Sequence, residues 1–392
     1  MAKWFEKRLD EIAEFNPRES LKKGSIAKKI SMDKLQPFCR DVPGFELEPY
    51  SGGTKFRNGD TIMARITPCL ENGKTAKVSV LENGEVGFGS TEYIVFRAKD
   101  GCDPDFLYYL VTSPIVRGPA IKSMVGSSGR QRVQTDVLQT LMVKVPDLET
   151  QQSISGILKS LDDKIAANRK INDNLEQQAQ ALYQELFITN TDPSWETGTI
   201  SNLGTVIGGS TPSKARPEYY TKNGIAWITP KDLSINKSKF ITHGESDITE
   251  LGLKNSSATV MPEGTVLFSS RAPIGYIAIA AGNITTNQGF KSVVPNAEIG
   301  TAYVYYYLKQ NLSMIERLAS GSTFKEVSGG TMKSVPAIVP DSKTIQEFNN
   351  FCLPIFEQQK VLETQNRTLA GLRDSLLPKL MSGELDVSAV EL

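Results

Sequence analysis

The feature that most constrains this chain is an internal repeat. Residues 145–152 read VPDLETQQ, and residues 339–346 read VPDSKTIQ. At an offset of 194 residues the register of the two copies continues without a gap to Leu186 and Leu380. A chain of 392 residues is also too long for one ordinary domain. The sequence therefore predicts a duplicated architecture.

Both copies carry apolar residues in steps of three and four, the heptad spacing of a long helix that buries one face. The predicted seam comprises Leu161, Ile165, Asn172, Leu175, Leu182, Ile355, Leu362, Asn366, Leu369 and Leu376. Two such seams would bury each other, and a repeat related by a twofold axis would pack the helices antiparallel. Thr150 and Thr344 are the predicted N-caps, and Glu347 would complete a capping box with Thr344.

Two asparagines lie in the predicted seams, and two prolines lie in the second predicted helix. Asn172 and Asn366 stand at equivalent places, where a polar residue can fix helix register at a cost in stability; the alternative is that both face solvent at the seam's edge. Pro354 and Pro378 each remove a backbone donor, which predicts a local kink or end in the second helix. A helix of about 34 residues would be about 50 Å long, matching about 15 base pairs of duplex.

The repeat divides the chain into globular and helical segments. The predicted segments are a globular domain at 1–150, a spacer helix at 151–190, a second globular domain at 191–340, and a second spacer helix with a tail at 341–392. Both globular segments mix β-branched and aromatic runs with turns and contain one helical patch, so the predicted fold class is α+β, with two pseudo-symmetric domains separated by two long antiparallel coiled-coil helices. The tyrosines of the helical patches are predicted core residues: Tyr108, Tyr109, Tyr305, Tyr306 and Tyr307.

Composition argues against several classes of function. The amino terminus lacks the apolar run of a signal peptide, and no segment approaches the roughly 18 apolar residues of a membrane span, so a cytoplasmic location is expected. His243 is the single histidine, which argues against a histidine metal site or a Ser-His-Asp triad. The four cysteines are too widely spaced for a Cys-x-x-Cys zinc site. No metal ligand and no catalytic residue is predicted.

Basic side chains lie in Gly- and Ser-rich loops of both globular segments, although the formal net charge is zero. Arg and Lys can bond guanine, Gln can bond adenine, and Gly or Ser lets the backbone approach phosphate. The predicted DNA-binding residues are Arg65, Lys74, Arg130, Arg132, Lys214, Arg216, Lys231, Arg271, Gln288, Lys291, Ser322, Thr323 and Lys325. Each alone could be a solvated loop residue, but their recurrence in both halves favours nucleic-acid binding.

Several segments resemble one family. SLLPKLMSGELDV at 375–387 resembles the closing signature of specificity subunits of type I restriction-modification systems. WITPKDL at 227–233, TPSKARPEYY at 211–220 and GSTFKEVS at 321–328 are similar to segments of that family's target-recognition domains. The order of domain, long helix, domain, long helix is also the family's order, so the resemblance covers essentially the whole chain, with the first globular segment matched mainly by position.

The resemblance implies a DNA sequence-recognition subunit that is not itself an enzyme. Each domain would read one half of a split double-stranded DNA target through the major groove, and the helices would fix the gap between the halves. Two methyltransferase subunits would dock on the chain and methylate adenine with S-adenosylmethionine, a cofactor that this chain would not bind; restriction or translocase subunits could join them, with no membrane involved. The circular arrangement of the family would place the tail after Leu380 beside Met1 to Trp4, as Phe187 to Trp195 stand in the other half.

A stand-alone DNA-modifying enzyme and a coiled-coil scaffold that binds only protein are the alternatives. An amino-methyltransferase needs an Asn/Asp-Pro-Pro-Tyr/Phe motif, but FNPRES at 15–20 offers only Asn16 and Pro17, and no Gly-x-Gly loop follows a plausible first strand. Salt-sensitive retention of random duplex DNA would separate a DNA-binding protein from a scaffold.

Overall fold

The structure, a computed structural model, describes residues 3–127, 129–321 and 325–387. By its contacts the chain divides into two compact units: unit 1 contains residues 1–167 and 365–392, and unit 2 contains residues 168–364. Both division points lie inside a long helix, so each unit holds one globular domain and part of each helix. The segment boundaries predicted at 150 and 340 lie beside the helix starts, not at these division points.

Unit 1 alternates short strands with short helices. In chain order its elements are β1 (Trp4–Arg8), α1 (Leu9–Ile12), β2 (Ala13–Phe15), β3 (Ile26–Ile30), β4 (Glu46–Pro49), β5 (Thr54–Phe56), β6 (Thr61–Ala64), β7 (Thr75–Lys77), β8 (Gly87–Gly89), β9 (Tyr93–Ala98), α2 (Pro104–Thr112), α3 (Pro114–Lys122), α4 (Thr135–Gln139), β10 (Met142–Pro146) and the first part of α5 (Leu148–Gln184). The strands form two four-stranded sheets, ordered β2-β9-β6-β7 and β4-β3-β8-β5, while β1 pairs with β10. One core surrounds α2, and a second contains Ile30, Phe56 and Ile62.

Unit 2 begins within α5, which ends in a π-helical turn (Glu185–Thr189). Its further elements are β11 (Glu196–Thr199), α6 (Ile200–Leu203), β12 (Gly204–Gly208), β13 (Tyr220–Thr221), β14 (Ile225–Ile228), α7 (Pro230–Ile235), β15 (Phe240–Ile241), β16 (Asp247–Ile248), α8 (Glu250–Lys254), β17 (Val266–Ser270), β18 (Ile274–Ala280), β19 (Thr285–Thr286), β20 (Lys291–Pro295), α9 (Thr301–Gln310), α10 (Leu312–Arg317), α11 (Gly329–Lys333), β21 (Pro336–Val339) and α12 (Ser342–Ser382), whose last part belongs to unit 1. The sheets are ordered β12-β20-β17-β18-β15 and β13-β16-β14-β19, and β11 pairs with β21.

The two domains share a plan at their borders. In each, the first strand pairs antiparallel with the last strand before a long helix: β1 with β10, and β11 with β21. The predicted α+β class is confirmed. The five tyrosines predicted as core residues lie in α2 and α9 and are all buried, which is also confirmed.

The N-caps of the long helices differ from the prediction. Asp147 and Asp341, three residues before the predicted threonines, occupy the N-cap positions, and each carboxylate accepts the backbone N–H of Thr150 or Thr344 at 3.0 Å. Aspartate is as good an N-cap as threonine, and its side chain reaches the third helical N–H. Thr344 lies inside the helix, and its hydroxyl donates to Asp341 at 2.7 Å, so the predicted capping box is wrong.

Within each unit the long helices pack antiparallel, as predicted. In unit 2, Gln359 of α12 donates to the backbone oxygen of Asn172 in α5 at 3.2 Å, and further along α5 the ring of Tyr183 meets the earlier Phe348 at 5.7 Å. In unit 1, Asp162 of α5 pairs with Arg373 of α12 at 2.6 Å. All ten residues of the predicted seam are buried or half-buried, and Asn172 and Asn366 are among the half-buried ones.

The prolines of the second copy do not end its helix. Pro354 and Pro378 both lie within the continuous α12, which has 41 residues, while α5 has 37. A proline inside a helix leaves one carbonyl without its intrahelical donor, but packing of the apolar face on both sides keeps the helix intact. The prediction that these prolines could end the helix is therefore wrong.

The chain after α12 folds back onto the amino terminus in unit 1. Gly383 has a φ of +76°, and its N–H donates to the oxygen of Leu380, which ends the helix in a left-handed turn. A Cβ at Gly383 would lie 2.9 Å from the indole of Trp4. In unit 2, Phe187 and Trp195 approach to 5.9 Å between ring centroids at the matching helix end. The tail therefore lies beside Trp4, as expected from the circular arrangement.

Candidate nucleic-acid interface

A groove in the second domain brings several predicted residues together. It is an open cavity of about 730 Å³, referred to below as the second-domain groove. Its lining comprises Thr211, Lys214, Tyr220, Trp227, Thr229, Pro230, Lys231, Asp232, Glu245, Ser246, Arg271, Ala272, Asn287, Gln288 and Gly289. Four of these, Lys214, Lys231, Arg271 and Gln288, were predicted to bind DNA from the sequence.

One wall of the groove is held by aromatic side chains that fasten a Gly- and Ser-rich loop. The indole N–H of Trp227 donates to the backbone oxygen of Ser210 at 2.9 Å, and the Tyr220 hydroxyl donates to that of Pro212 at 2.5 Å. Gly209 is required at the base of the loop, because a Cβ there would lie 1.9 Å from the backbone oxygen of Asn287. The fastened loop places the exposed Lys214 at the groove's rim.

Arg271 also lines the groove and lies beside a carboxylate that it shares with Lys291. Arg271 Nη1 lies 3.4 Å from one oxygen of Glu326, and Lys291 Nζ lies 3.3 Å from the other. The Arg271 side chain is 37% exposed, so Glu326 orients a guanidinium that is still open to a ligand. A second cavity of about 620 Å³ shares Arg271 and Ala272 with the groove and adds Lys325 to its lining.

Three other predicted residues of this domain, Gln288, Lys231 and Arg216, are exposed and have nearby polar partners. Thr211 donates to the side-chain oxygen of the exposed Gln288, which leaves the amide NH₂ pointing away from that bond. Lys231 pairs with Glu245 at 2.6 Å, and this exposed carboxylate raises the pKa of Lys231. Arg216 lies 3.6 Å from Glu218, outside the groove lining.

Two predicted residues cannot be placed. Ser322 and Thr323 lie outside the described residues. Their neighbour Lys325 is exposed, and the loop that follows is joined to β17 by the bond from the Val327 N–H to the Ser270 oxygen at 3.0 Å.

In the first domain, three of the predicted DNA-binding residues form hydrogen bonds with other residues of the same domain. Arg132 forms three hydrogen bonds with the Glu92 carboxylate at 2.7–3.0 Å, and this contact lowers the pKa of Glu92 and raises that of Arg132. Arg65 donates to the backbone oxygen of Val133 at 3.1 Å, and Lys74 to that of Met32 at 2.9 Å.

Arg130 and Arg132 are the exposed members of this first-domain set, and Arg65 and Lys74 are half-buried. Backbone bonds from Thr67 to Gln131 and from Val133 to Arg65 join the two loops that carry the arginines. Arg65, Arg130 and Arg132 therefore lie on neighbouring segments, but the ion pair with Glu92 consumes much of the donor capacity of Arg132.

Sequence reasoning missed the groove's uncharged residues. Trp227, Tyr220 and Asn287 line it without carrying charge. The available signal was that WITPKDL, which contains Trp227, and TPSKARPEYY, which contains Tyr220, are similar to segments of known recognition domains. The assembled groove offers a guanidinium, two ammonium groups and two side-chain amides on one surface. These donors can contact phosphate oxygens and base edges of a duplex.

The chain has two domains of one plan, and each begins and ends at the long helices. The second domain has a cation-lined groove. This arrangement is typical of a nucleic-acid-recognition protein with two reading domains. Residues 1–177 and again 193–367 match the family profile described as the Type I restriction modification DNA specificity domain. The chain belongs to this family.

In the part of the chain that the structure describes, no helix has both the length and the apolar character to cross a bilayer.

Relatives support the same family. The chain is 40% identical to the Type I restriction enzyme MjaIX specificity subunit of Methanocaldococcus jannaschii over 42% of this chain and 38% of that relative, so this match spans less than half of the relative's length. It is 26% identical to the Type I restriction enzyme HindI specificity subunit of Haemophilus influenzae over 88% of this chain and 89% of that one. The solved S subunit of a Type-I restriction-modification system from M. genitalium shares the fold, with a TM-score of 0.57, 14% identity, and coverage of 97% and 96%.

Proposed function

We propose that the chain reads a two-part duplex DNA target, one half with each domain, and that the paired long helices set the distance between the halves. The observation that carries this proposal is the duplication: two domains of one plan each begin and end at the long helices. A single reading domain would need neither the second copy nor helices of 37 and 41 residues.

The second-domain groove is the proposed reading surface for one half-site. Arg271 and Lys325 line adjoining cavities, and Gln288 lines the groove with its side-chain amide. Arg271 is suited to contact guanine, Lys325 to contact phosphate, and Gln288 to contact adenine. In the first domain, Arg130 and the neighbouring Arg65 and Arg132 form the corresponding proposed surface, with Lys74 close by.

The proposed partners are two methyltransferase subunits, with restriction subunits as further members of the assembly. The support is that the relatives are specificity subunits of Type I restriction enzymes. The chain itself is proposed to be non-catalytic and to bind no cofactor, whereas the methyltransferase would use S-adenosylmethionine. Recognition of cellular DNA would take place in the cytoplasm.

Methylation mapping tests the proposal. Cells that express this chain with its cognate methyltransferase subunit should show methylated adenines in one two-part sequence with a constant gap. Arg271→Ala should weaken the base preference in one half-site by about 1–3 kcal/mol and leave the other half-site unchanged.

Lys254→Ala is the matched control, because Lys254 is an exposed cation of the same domain outside the groove lining. It should leave both half-sites unchanged. Equal loss of selectivity at both half-sites in the Arg271 variant would refute the assignment of one half-site to each domain.

A further inference from the structure

A buried cation occupies the same place in both domains. Arg40 and Lys239 each stand just before a residue that pairs in parallel with a neighbouring strand: Asp41 beside Lys77, and Phe240 beside Ile279. The Arg40 oxygen accepts the Lys77 N–H at 2.8 Å, and the Lys239 oxygen accepts the Ile279 N–H at 2.7 Å. The side chains are only 9% and 7% exposed.

In unit 2, Lys239 reaches both long helices with its side chain. Its ammonium group pairs with Glu176 of α5 and donates to the side-chain oxygen of Gln359 in α12 at 2.8 Å. The same group lies over the rings of Tyr305 at 4.9 Å and Phe356 at 4.4 Å, so aromatic faces fill the space around it.

The backbone of the same loop is held as well. The N–H groups of Lys239 and Phe240 donate to the two oxygens of Glu363 in α12, at 2.8 and 3.1 Å. Gln359, which accepts from Lys239, donates in turn to the backbone of α5. Domain, α5 and α12 are thus joined in one hydrogen-bonded network within unit 2.

In unit 1 the loop that contains Arg40 reaches the same two helices. Arg40 Nη2 bonds to Asp163 of α5 at 2.5 Å, while its Nε bonds to Asp41 at 3.0 Å. The backbone oxygen of Phe38 accepts from Arg373 of α12 at 3.2 Å. The chemistry of the helix partners differs from unit 2, but both helices are again engaged by one short loop.

These contacts do more than hold a domain in place. Apolar packing tolerates small shifts of one surface over another, whereas a buried cation loses several favourable contacts if its partners move, and an unpaired buried charge is costly. Lys239, whose partners lie on two different helices, is satisfied in only one orientation of its domain on that helix pair. In unit 1 the loop as a whole has this property, because the Arg40 side chain pairs with α5 and the Phe38 oxygen, two residues earlier, accepts from α12.

We propose that Arg40 and Lys239 are positioning residues that lock their domains onto the long helices in a single orientation and so restrict the recognised target to a single gap length. This inference rests on the proposed function. It predicts that loss of either cation broadens the accepted gap without changing the bases that are read.

The test uses the full chain assembled with its methyltransferase subunits and a library of duplexes in which the gap between the half-sites varies by single base pairs. Lys239→Met keeps an unbranched apolar stem among the aromatic rings but removes the charge. We expect methylation at gaps one base pair shorter and longer to rise by about tenfold relative to the preferred gap, with half-site sequences retained. Arg40→Met should do the same.

Lys239→Arg keeps a cation and should restore the narrow gap preference, and the exposed Lys254→Met should leave it untouched. An equal loss of methylation at every gap, or an unchanged gap profile in both Met variants, would overturn the positioning role. If Lys239→Met does not assemble, Glu363→Gln weakens the acceptors of the Lys239 and Phe240 backbone N–H groups and should broaden the gap in the same direction. An unchanged profile there would also overturn the positioning role. A wild-type complex without any two-part target would refute the proposed function as well.

Discussion

Where the long helices meet the second domain, the core is aromatic. Tyr183, Phe187 and Phe348 meet with ring centroids 5.1–5.7 Å apart. Applying the offset of 194 residues to these three positions gives Leu377, Met381 and Ile154, which lie in the core of unit 1 or pack against it. The same places in the duplicated frame are therefore filled by rings in one unit and by aliphatic chains in the other.

This difference shows what the duplication retained. Helix position, burial and antiparallel packing are common to both units. The side chains that fill the equivalent core positions are different. Cores accept such exchange when volume and patterning are kept together. The detectable repeat is consequently concentrated in the helices, and the loops that would contact DNA have diverged.

Charged groups in the helices differ in the same way. Unit 1 contains the buried pair of Asp162 and Arg373, whereas the positions 194 residues away in unit 2 hold Phe356 and Ala179. Unit 2 instead pairs the half-buried Glu176 with Lys239 and Lys309. Each unit thus has its own ion pairs on a common frame, and this contrast can be tested by substitution.

The largest expected effect is in unit 1. Arg373→Ala leaves Asp162 buried without its cation and should cost about 3–5 kcal/mol of unfolding free energy in unit 1, as measured by urea denaturation with segment-resolved amide hydrogen exchange. The exposed partner Asp374 offers a control, because Asp374→Ala should cost less than about 1 kcal/mol.

The double variant Asp162→Phe, Arg373→Ala rebuilds in unit 1 the residues that unit 2 already uses. It should recover more than half of the stability lost in the single variant, since it removes the unpaired charge. A double variant no more stable than Arg373→Ala would show that the two frames are not interchangeable.

A smaller, pH-dependent effect is expected in unit 2. Burial alone would raise the pKa of Glu176, but the ammonium groups of Lys239 and Lys309 outweigh it and hold the pKa at about 2, below the usual 4.5. A depressed carboxyl pKa stabilises the folded state above about pH 4.5, and that contribution is lost as the pH falls toward about 2. It amounts to about 3 kcal/mol.

Glu176→Gln should therefore destabilise unit 2 by about 3 kcal/mol at neutral pH and flatten its stability between pH 4.5 and 2, measured by the same exchange experiment. The acid profile of unit 1 should change little. At the equivalent position, 194 residues from Glu176, unit 1 has Ala370, which carries no titratable group. The exposed Glu357→Gln is the control. An acid profile of unit 2 that is unchanged by Glu176→Gln would assign its acid sensitivity to other carboxyls.

The sequence predicted the frame better than the surface. Heptad spacing and the repeat were enough to place Leu161 and Leu362 in the helix seam, because that pattern is local. The N-cap was misplaced because Asp341 and Thr344 are both good caps three residues apart, and only the observed hydrogen bonds distinguish them. Local sequence could not indicate that Lys239 meets Glu176, which is distant along the chain.

The candidate site shows the same limit. Lys214 and Arg271 were identified by their charge in Gly-rich loops, but their shared groove depends on backbone bonds and on Trp227, which the loop composition does not reveal. Arg132 was selected by the same criterion and proved to be bound to Glu92. Charge in a loop identifies a candidate, whereas the tertiary partner decides whether it is available.

The most direct measurement of the central claim is the gap of the methylated target after the helices are shortened together. Deleting residues 164–170 from α5 and 364–370 from α12 removes one heptad from each and leaves Asp163, Glu176, Gln359 and Glu363 in place. Seven residues span about 10 Å, or about 3 base pairs, and turn each helix by only about 20° from full register. We predict the same two half-site sequences separated by a gap about 3 base pairs shorter; an unchanged gap would contradict the claim that the paired helices set the distance.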